Sequence, residues 1–383
     1  MKLNTHSKNI RIVNVVGARP NYMKIAPIMN AYKNYSLFEP LLVHTGQHYD
    51  ENMNQLFFEE LKIPRPDIYM EVGSDSHARQ TARIMERFEP IVNEYKPDIV
   101  LVVGDVNSTI ACALVAAKLG IRVAHVEAGL RSFDTSMPEE INRMLTDRIS
   151  DFLFVSEESG IKNLRAEGIP DSKIFHVGNV MIDTLKKNLE KAQKSRILNT
   201  MGLKNKSFAL VTLHRPSNVD DPVLLREIVR VLVRISEQLP TIFPVHPRTR
   251  KRIQELGLEA ELNIPKQKVD LDNHQTLQLT EPLGYLDFLK LMESAKVVLT
   301  DSGGIQEETT ILQTPCLTLR DNTERPATVT TGNNRIVGTV PENIIAGFND
   351  VMKQNSVISD VPDLWDGKAA DRIADVLAGK PAI

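Results

Sequence analysis

The chain has 383 residues, of which 42% are hydrophobic and 25% charged, and its formal net charge is −3. This length predicts two or three domains, and the near-balanced charge excludes a strongly basic nucleic-acid-binding protein. The longest apolar runs, Ile110–Ala117 and Ile99–Val103, are too short to cross a bilayer. Because the start does not resemble a signal peptide and Cys112 and Cys316 cannot form a disulfide framework or a four-ligand zinc site, we expect a soluble, cytoplasmic protein.

Short apolar strands alternate with amphipathic helices through the first half of the chain. This alternation is typical of a parallel sheet that helices cover on both faces. The strands are predicted at Ile10–Val16, Leu41–His44, Asp98–Val103, Arg122–Val126, Phe152–Val155 and Ile174–Val177. The helices are predicted at Tyr22–Lys33, Glu51–Leu61, Ser76–Tyr95, Ser108–Leu119, Glu139–Ile149 and Glu157–Glu167.

The alternation pauses at Thr184–Lys206, a Lys- and Asn-rich stretch that we interpret as a helix followed by a linker. It then resumes. The later strands are predicted at Phe208–Leu213, Thr241–Val245, Thr276–Leu279, Lys296–Leu299, Cys316–Leu319 and Arg335–Val337. The later helices are predicted at Pro222–Leu239, Leu286–Ser294, Ile305–Leu312, Pro341–Lys353 and Ala369–Leu377.

The pattern predicts an α/β fold of two doubly wound, Rossmann-like domains. We place the first domain at residues 1–190, the second at 191–365 and a C-terminal helical segment, expected to pack back on the first domain, at 366–383. A ligand is expected where the carboxyl ends of both sheets face one central cleft. Many enzymes share this architecture, so function must be inferred from the residues at the strand ends.

The first strand is followed by a turn that carries Arg19, with Lys24 one helical turn later. A helix start does not favour cations, so their position suits a bound phosphate. Two solvated surface charges are the alternative. The chain contains no GxGxxG motif, which weakens a dinucleotide-cofactor interpretation.

Carboxylates follow two successive strands of the first domain. Asp105 comes after the strand at Asp98–Val103, and Glu127 directly follows the next strand, Arg122–Val126. Asn107 and Ser108 are better placed to cap the following helix, which would leave the Asp105 carboxylate free. Glu139 and Glu140 then open another helix, where the dipole alone would favour them. The cluster is either a set of catalytic acids and bases or a structural ion-pair network.

Histidine and arginine recur at the strand ends of the second domain. His214 and Arg215 follow one strand, and His246 follows the next. Both histidines could contact phosphate, although His214 could also be an ordinary core histidine. Arg320 and Arg325 lie in a later polar loop and offer two more cations.

The segment Asp301–Gly304 is the sharpest local feature. Ser302, Gly303 and Gly304 precede a helix, and glycines let the backbone approach an anion at the positive helix end. A simple tight turn is the alternative. Glu308, in the first turn of that helix, suits hydrogen bonding to a ribose diol. His44 and His48 have helical metal-ligand spacing, but Gly46 between them favours a surface turn, so no metal site is predicted. No cofactor is predicted either.

With these residues assembled, the chain resembles the UDP-N-acetylglucosamine 2-epimerase family, in particular its non-hydrolysing branch. The combination of HVEAGLRS, MPEEINRMLTD and LTDSGGIQEE is highly specific. The matching segments are GARPNYMKIAP (17–27), HTGQHYD (44–50), GDVNST (104–109), HVEAGLRS (125–132), MPEEINRMLTD (137–147), HRPSNVD (214–220), PVHPRT (244–249), EPLGYLDFLKLM (281–292), LTDSGGIQEE (299–308) and RDNTERP (320–326).

The resemblance implies the glycosyltransferase-B architecture, a UDP-sugar substrate, a homodimer and an isomerase that interconverts UDP-GlcNAc and UDP-ManNAc through a 2-acetamidoglucal. It implies catalytic roles for Asp105, Glu127, Glu139 and His214. The residues that it and the pattern assign to substrate binding are Arg19, Lys24, Arg215, His246, Phe288, Ser302, Gly303, Gly304, Glu308 and Arg325.

The chain departs from the family pattern at three points, one of which is Gly46–Asp50, where some bacterial members have a segment that helps to bind an activating second substrate. Many members have a glutamate within the segment that here reads His214–Asn218, and Ala327 replaces a glutamate after Pro326. Three other activities therefore stay open: a hydrolysing epimerase that releases ManNAc, an epimerase of a modified UDP-diacetamido sugar, and a glycosyltransferase. A non-enzymatic nucleotide-sugar sensor is a fourth, which the carboxylate cluster disfavours, since carboxylates would repel a bound diphosphate.

Overall fold

The computed structural model describes residues 9–46, 65–259, 277–353 and 359–380. The chain divides into two compact units, one formed by Met1–Lys187 with Asp363–Ile383 and the other by Asn188–Pro362. The predicted helix at Glu51–Leu61 and the residue His48 lie outside the described residues. Within the described ranges, no helix is both long and apolar enough to span a membrane.

The first unit is built on a seven-stranded parallel sheet in the order β3-β2-β1-β4-β5-β6-β7. The sheet interior is lined by Val and Leu side chains such as Val100 and Val102, which are fully buried. The strands are β1 Ile10–Val16, β2 Phe38–His44, β3 Ile68–Tyr69, β4 Ile99–Val103, β5 Arg122–Ala128, β6 Phe152–Val155 and β7 Ile174–His176. The two-residue strand β3 is too short for its alternation to be visible in the sequence.

Helices connect these strands, as the apolar periodicity predicts. They are α1 Arg19–Ala31, α2 His77–Tyr95, α3 Asn107–Lys118, α4 Pro138–Ile149, α5 Glu158–Ala166 and α6 Val180–Ala192. Helix α3 packs through the small side chains Ala111, Cys112 and Ala113, which are fully buried. The strand order reverses between β1 and β4, so the carboxyl ends of these strands form the switch point where ligands bind in open α/β sheets.

The second unit repeats this plan with a six-stranded parallel sheet in the order β10-β9-β8-β11-β12-β13. Its switch point lies between β8 and β11. The strands are β8 Ala209–Thr212, β9 Thr241–Pro244, β10 Leu277–Thr280, β11 Val297–Thr300, β12 Cys316–Thr318 and β13 Asn334–Ile336. The helices after α6 are α7 Ile197–Thr200, α8 Pro216–Val219, α9 Pro222–Ser236, α10 Pro247–Glu255, α11 Tyr285–Ser294, α12 Gly303–Leu312, α13 Pro326–Thr330 and α14 Pro341–Lys353.

The chain returns to the first unit at its C-terminal end. Trp365 is buried there, and its indole Nε1–H donates to the carbonyl of Ser156 over 2.9 Å. The last helix, α15 (Ala369–Leu377), packs against α1. Its first turn is capped from α6, because the Asp183 carboxylate accepts the backbone N–H groups of Ala369 and Ala370 over 3.1 and 2.7 Å.

Candidate active site

An asparagine ties the end of β1 to the end of β4. The Asn21 side-chain oxygen accepts the N–H groups of Gly17 and Ala18 over 3.0 and 2.9 Å, and its amide donates to the carbonyl of Val103 over 3.1 Å. Arg19 is the first residue of α1, and its side chain lies outside what the structure describes. The turn after β1 is therefore fixed against the switch point of the sheet.

Lys24 and Glu127 form a buried ion pair at this edge of the sheet. The Lys24 ammonium contacts the Glu127 carboxylate, and the two residues are only 8% and 4% exposed. Glu127 has a left-handed φ of 70°, and the pairing of β5 with β6 shifts register between Val126 and Ala128. The irregularity sets the orientation of the Glu127 side chain near the end of β5. Lys24, predicted to contact phosphate, is thus placed to neutralise a carboxylate.

Gly104 lies directly beside this ion pair, at the end of β4. Its φ is 69°, a conformation that costs other residues about 1–2 kcal/mol. A Cβ at this position would stand 3.1 Å from the Lys24 Nζ and 3.6 Å from a Glu127 carboxylate oxygen. Glycine therefore satisfies both the backbone conformation and the close approach of the two side chains.

The Asp105 carboxylate is held by an arginine of α4. Arg143 forms an ion pair with it, and the Asn142 amide donates to the Asp105 carbonyl over 2.9 Å. The prediction that capping by Asn107 and Ser108 would leave this carboxylate free is wrong. Helix α3 is capped by Val106 without a side-chain hydrogen bond, and Asp105 bonds to a helix that follows much later in the chain.

Glu139 and Glu140 have different environments although they are neighbours in α4. Glu140 is buried and accepts the N–H groups of Ser132 and Phe133 over 3.0 and 2.9 Å as well as Arg143. Burial opposes its charge, but these donors hold the pKa of Glu140 below its usual range. Glu139 is only partly buried. Glu140 is thus a structural carboxylate that supports Arg143, while Glu139 is only partly shielded from solvent.

Asp301 organises the corresponding edge of the second unit. It is fully buried at the end of β11 and accepts the N–H groups of His214 and Arg215 over 3.0 and 2.9 Å. The His214 Nδ1 lies 3.0 Å from the same carboxylate. Burial opposes the charge, but these contacts hold the pKa of Asp301 below its ordinary value. Sequence reasoning had not given Asp301 a role, although a carboxylate directly after a buried strand was the available signal.

The side chains of His214 and Arg215 reach from this carboxylate toward the surface. The His214 side chain is 43% exposed, and its ring centroid lies 6.1 Å from that of His246. His246 caps α10, since its Nδ1 accepts the N–H of Arg248 over 3.2 Å. The Arg215 guanidinium donates to Glu324 over 3.0 Å. The structure thus brings together the His and Arg residues that the sequence placed at successive strand ends.

Helix α12 begins with the predicted glycine pair. Ser302 is its N-cap residue, and Gly303 and Gly304 are its first two residues. A Cβ on Gly303 would lie 2.9 Å from a Glu324 carboxylate oxygen, so this helix end is closely packed on one side. The positive end of a helix with two glycines suits an anion such as a diphosphate.

Glu308 and Phe288 lie on α12 and α11, respectively. Glu308 is 3% exposed and accepts the phenol hydrogen of Tyr285 over 2.9 Å. Burial and this carboxylate raise the pKa of Tyr285 well above its usual value. Phe288 lies one turn after Tyr285 and is partly buried. Tyr285 therefore helps to orient Glu308, and no local sequence pattern indicates this pairing.

The two arginines of the loop after β12 are paired with buried glutamates. Arg325 contacts Glu307 over 2.6 Å, and Arg320 contacts Glu324 over 2.8 Å. Each arginine is 6% exposed. The sequence predicted that both arginines would be available to the ligand. Their glutamate partners were not predicted, because no local pattern links an arginine of this loop to a particular glutamate.

Comparisons with known proteins place these features in a family. The family model for UDP-N-acetylglucosamine 2-epimerase matches residues 30–378. The chain belongs to this family. It is 43% identical over 369 residues to the UDP-N-acetylglucosamine 2-epimerase of Methanocaldococcus jannaschii, covering 95% of this chain and 97% of the relative. It is also 41% identical over 374 residues to the UDP-2,3-diacetamido-2,3-dideoxy-D-glucuronate 2-epimerase of Pseudomonas aeruginosa, covering 96% and 99% of the two chains.

Solved structures agree with this assignment. The crystal structure of the Methanocaldococcus jannaschii UDP-GlcNAc 2-epimerase in complex with UDP-GlcNAc and UDP matches with a TM-score of 0.87 at 41% identity, covering 97% of this chain and all of that one. A UDP-glucosyltransferase from Polygonum tinctorium matches at 12% identity with a TM-score of 0.60, which is a likeness of fold alone. The family resemblance and the glycosyltransferase-B fold class predicted from the sequence are thereby confirmed.

Proposed function

We propose that this protein is a non-hydrolysing epimerase that interconverts UDP-GlcNAc and UDP-ManNAc. One observation supports the proposal most strongly. Asp105 follows β4, Glu127 lies near the end of the adjacent strand β5, and each carboxylate contacts a cation, Arg143 and Lys24 respectively. Carboxylates in such positions are suited to exchange a proton with a bound sugar.

The C2 proton of UDP-GlcNAc has no adjacent carbonyl and is not acidic enough for simple removal. Elimination solves this difficulty. The C1–O bond breaks, and its electron pair leaves with UDP, while a carboxylate takes the C2 proton and the C2–H electron pair forms the C1–C2 double bond of a 2-acetamidoglucal. Protonation of C2 on the opposite face and re-addition of the UDP oxygen at C1 complete the inversion. The sum is an isomerisation that consumes no water.

We assign the proton-transfer work to Asp105, Glu127 and Glu139 as a set. Asp105 and Glu127 are held in place by cations, which fixes their orientation toward one edge of the sheet. Glu139 is partly exposed at the start of α4 and is available to a ligand. Two faces of C2 require groups on opposite sides of the ring, so a set of separated carboxylates is better suited than a single one.

We assign the nucleotide to residues of the second unit, with Arg19 and Lys24 contributing from α1. The first turn of α12, formed by Ser302, Gly303 and Gly304, would bind the diphosphate with backbone N–H groups. His214, whose ring contacts Asp301, would stabilise the departing oxygen. Glu308 is proposed to bind the ribose diol. Further contacts with the UDP-sugar are proposed for Arg215, His246, Phe288 and Arg325.

A second substrate has specific support. The Pseudomonas aeruginosa relative that acts on a UDP-diacetamido uronic acid is 41% identical, close to the 43% of the relative named for UDP-GlcNAc. Identity alone therefore does not separate the two sugars. We favour UDP-GlcNAc because the family model and the matching Methanocaldococcus jannaschii crystal structure carry that sugar nucleotide in their names.

Incubation of the protein with UDP-GlcNAc in deuterated water tests this function. We expect UDP-ManNAc that carries deuterium at C2, with little free sugar, when the products are followed by NMR. Free ManNAc would indicate the hydrolysing activity, and turnover only with the diacetamido uronate would indicate the other substrate. No reaction with either sugar unless an acceptor is added would indicate a transferase.

A homodimer and a cytoplasmic location also stay predictions. Helix α4 exposes Ile141, Met144 and Leu145, which are 46%, 42% and 52% accessible. Adjacent exposed apolar side chains are typical of surfaces where subunits associate, which supports the dimer. Sedimentation of the protein with and without Leu145→Glu would show whether this face is used.

A further inference from the structure

A buried imidazole lies behind the two candidate carboxylates of the first unit. His125, in β5, is fully buried, and its Nε2 lies 2.8 Å from the carbonyl oxygen of Gly104. Its Nδ1 lies 2.7 Å from a carboxylate oxygen of Asp147, which is fully buried in α4. Both nitrogens of this ring therefore face hydrogen-bond acceptors.

The surroundings of Asp147 establish that it is an acceptor. Its second oxygen accepts the N–H of Gly129 over 3.0 Å and contacts the Arg131 guanidinium over 2.7 Å. Although burial favours the neutral acid, His125 and Arg131 hold the pKa of Asp147 below its usual range. A carbonyl oxygen accepts and cannot donate, so the His125 nitrogen that faces Gly104 is the donor of that bond.

The carbonyl that His125 holds belongs to the turn of the candidate site. The peptide group that contains the Gly104 carbonyl also contains the N–H of Asp105. Gly104 has the left-handed conformation that lets it approach Lys24 and Glu127. Rotation of the peptide between Gly104 and Asp105 would therefore move the Asp105 carboxylate relative to the Lys24–Glu127 pair.

Helix α4 holds the same turn from a second direction. Asn142 bonds the Asp105 carbonyl and Arg143 its carboxylate, while Asp147, further along α4, anchors His125. The turn after β4 is thus clamped between one ring from β5 and two side chains from α4. The contact to the Gly104 carbonyl comes from the His125 ring.

We propose that His125 is a positioning residue of the epimerase reaction, which donates from Nε2 to the Gly104 carbonyl and fixes the Gly104–Asp105 peptide so that Asp105 and Glu127 keep their spacing. This inference rests on the proposed function. His125 does not touch the sugar, and the Gly104 bond is the one that matters for turnover. The Asp147 bond serves to hold the ring.

Two substitutions separate the two bonds. A glutamine amide lies near the Nε2 position of histidine and preserves donation to Gly104, whereas an asparagine amide lies near Nδ1 and preserves only the bond to Asp147. We expect His125→Asn to lower kcat by about 100-fold, as a misplaced catalytic group does. We expect His125→Gln to lose much less, and the Kd for UDP to be unchanged in both variants.

The measurements are kcat and C2 deuterium incorporation with UDP-GlcNAc, UDP binding by calorimetry, and thermal unfolding of each variant. A purely structural role would lower kcat in proportion to lost stability and equally in the two variants, which would overturn the proposal. Near-normal kcat in a folded His125→Asn variant would overturn it as well. Wild-type protein without epimerase activity would instead reject the proposed function.

NMR of the wild-type protein with isotope-labelled histidine rings gives an independent test. The resonance absent from the His125 variants, or the most deeply protected ring signal if the variants do not fold, belongs to His125. We expect a proton on Nε2 of this ring, protected from exchange with solvent, because the Gly104 carbonyl accepts it. A ring without a proton on Nε2 would overturn the proposal whatever the kinetics.

Discussion

The carboxyl ends of the two sheets use charge in opposite ways. In the first unit, the cations Lys24 and Arg143 hold the carboxylates of Glu127 and Asp105. In the second unit, the buried carboxylate of Asp301 orients His214, and buried glutamates hold the arginines of the loop after β12. The two sheets share a topology, so the difference arises from the side chains at the strand ends.

This difference teaches how one architecture supplies two chemical environments. An edge whose carboxylates are anchored by cations offers oxygen atoms of fixed position to a substrate proton. An edge whose cations are anchored by buried acids offers oriented donors to an anion, together with the positive end of α12. We therefore expect substitutions at the first edge to affect proton transfer and those at the second edge to affect nucleotide binding.

The largest effect is expected for Asp105→Asn. The amide keeps the shape of the side chain but cannot accept the C2 proton, so kcat should fall by at least about 1,000-fold. The Kd for UDP should stay near that of the wild type, because Asp105 is not among the residues assigned to the nucleotide. The control is Asp171→Asn, which alters an exposed aspartate paired with Arg165. Near-normal deuterium incorporation by Asp105→Asn would remove Asp105 from the mechanism.

Asp301→Asn should instead disturb the second edge, where Asp301 holds His214 and Arg215. The substitution leaves the donors around a fully buried position without their charged acceptor, which typically costs about 3–5 kcal/mol. UDP binding should weaken by about tenfold or more, since 1.4 kcal/mol of lost orientation has that effect. Chemical denaturation and calorimetry measure both, with Asp350→Asn, at an exposed ion pair, as the control. An unchanged Kd for UDP would contradict the division between the two edges.

The pH dependence of Asp301 has a defined sign. Its folded-state pKa lies below the ordinary value of 3.8, so its contribution to stability is present above that value and is lost as the pH falls through the folded-state pKa. The difference in unfolding free energy between wild type and Asp301→Asn should therefore be constant around neutral pH and shrink in strong acid.

Asp183, which caps α15 within the first unit, should show the opposite sign. Burial raises its pKa from 3.8 to about 6 even though it accepts the N–H groups of Ala369 and Ala370. The folded state thus binds the proton more tightly than the unfolded state, so the free energy of unfolding falls as the pH rises from 3.8 to about 6. The free energy of unfolding of the wild type relative to Asp183→Asn should decrease by up to about 3 kcal/mol. Parallel denaturation profiles across this pH range would contradict this expectation.

The smallest effect on stability is expected for Gly104→Ala, which has a matched control. Gly104 and Gly120 have φ values of 69° and 72°, so alanine should cost each about 1–2 kcal/mol. A Cβ at Gly104 would meet Lys24 at 3.1 Å, whereas no described atom lies within 4 Å of one at Gly120. Only Gly104→Ala should lower kcat as well. Equal activity of the two variants would show that the close approach to Lys24 does not matter.

Local sequence patterns predicted most of the secondary structure. The strands β1 and β6 and the helices α14 and α15 have the predicted bounds, because an apolar period and its flanking turn residues are properties of neighbouring positions. The strand β3 was missed because two residues show no period. The helix α10 was missed because its sequence, PRTRKRIQE, is polar on all but one narrow face, where Thr249 and Ile253 are buried.

The candidate site could be predicted only in part. The sequence located the carboxylates and the glycine pair at strand ends, but it treated Asp105 as free and Arg320 and Arg325 as available. Asp105 is paired with a residue 38 positions later, and Asp301 bonds to a residue 87 positions earlier. No local period relates positions that far apart.

The sequence by itself therefore determined the α/β alternation, the positions of the strand ends and the family to which the chain belongs, since each is written in short contiguous segments. Only the tertiary structure decided which charged side chains form ion pairs with each other. Strand β4 lies between β1 and β5, and this adjacency brings Lys24, Gly104, His125 and Glu127 together from three separate parts of the chain. The physical reason is that an ion pair depends on distance in space, and the order of strands in the sheet sets that distance.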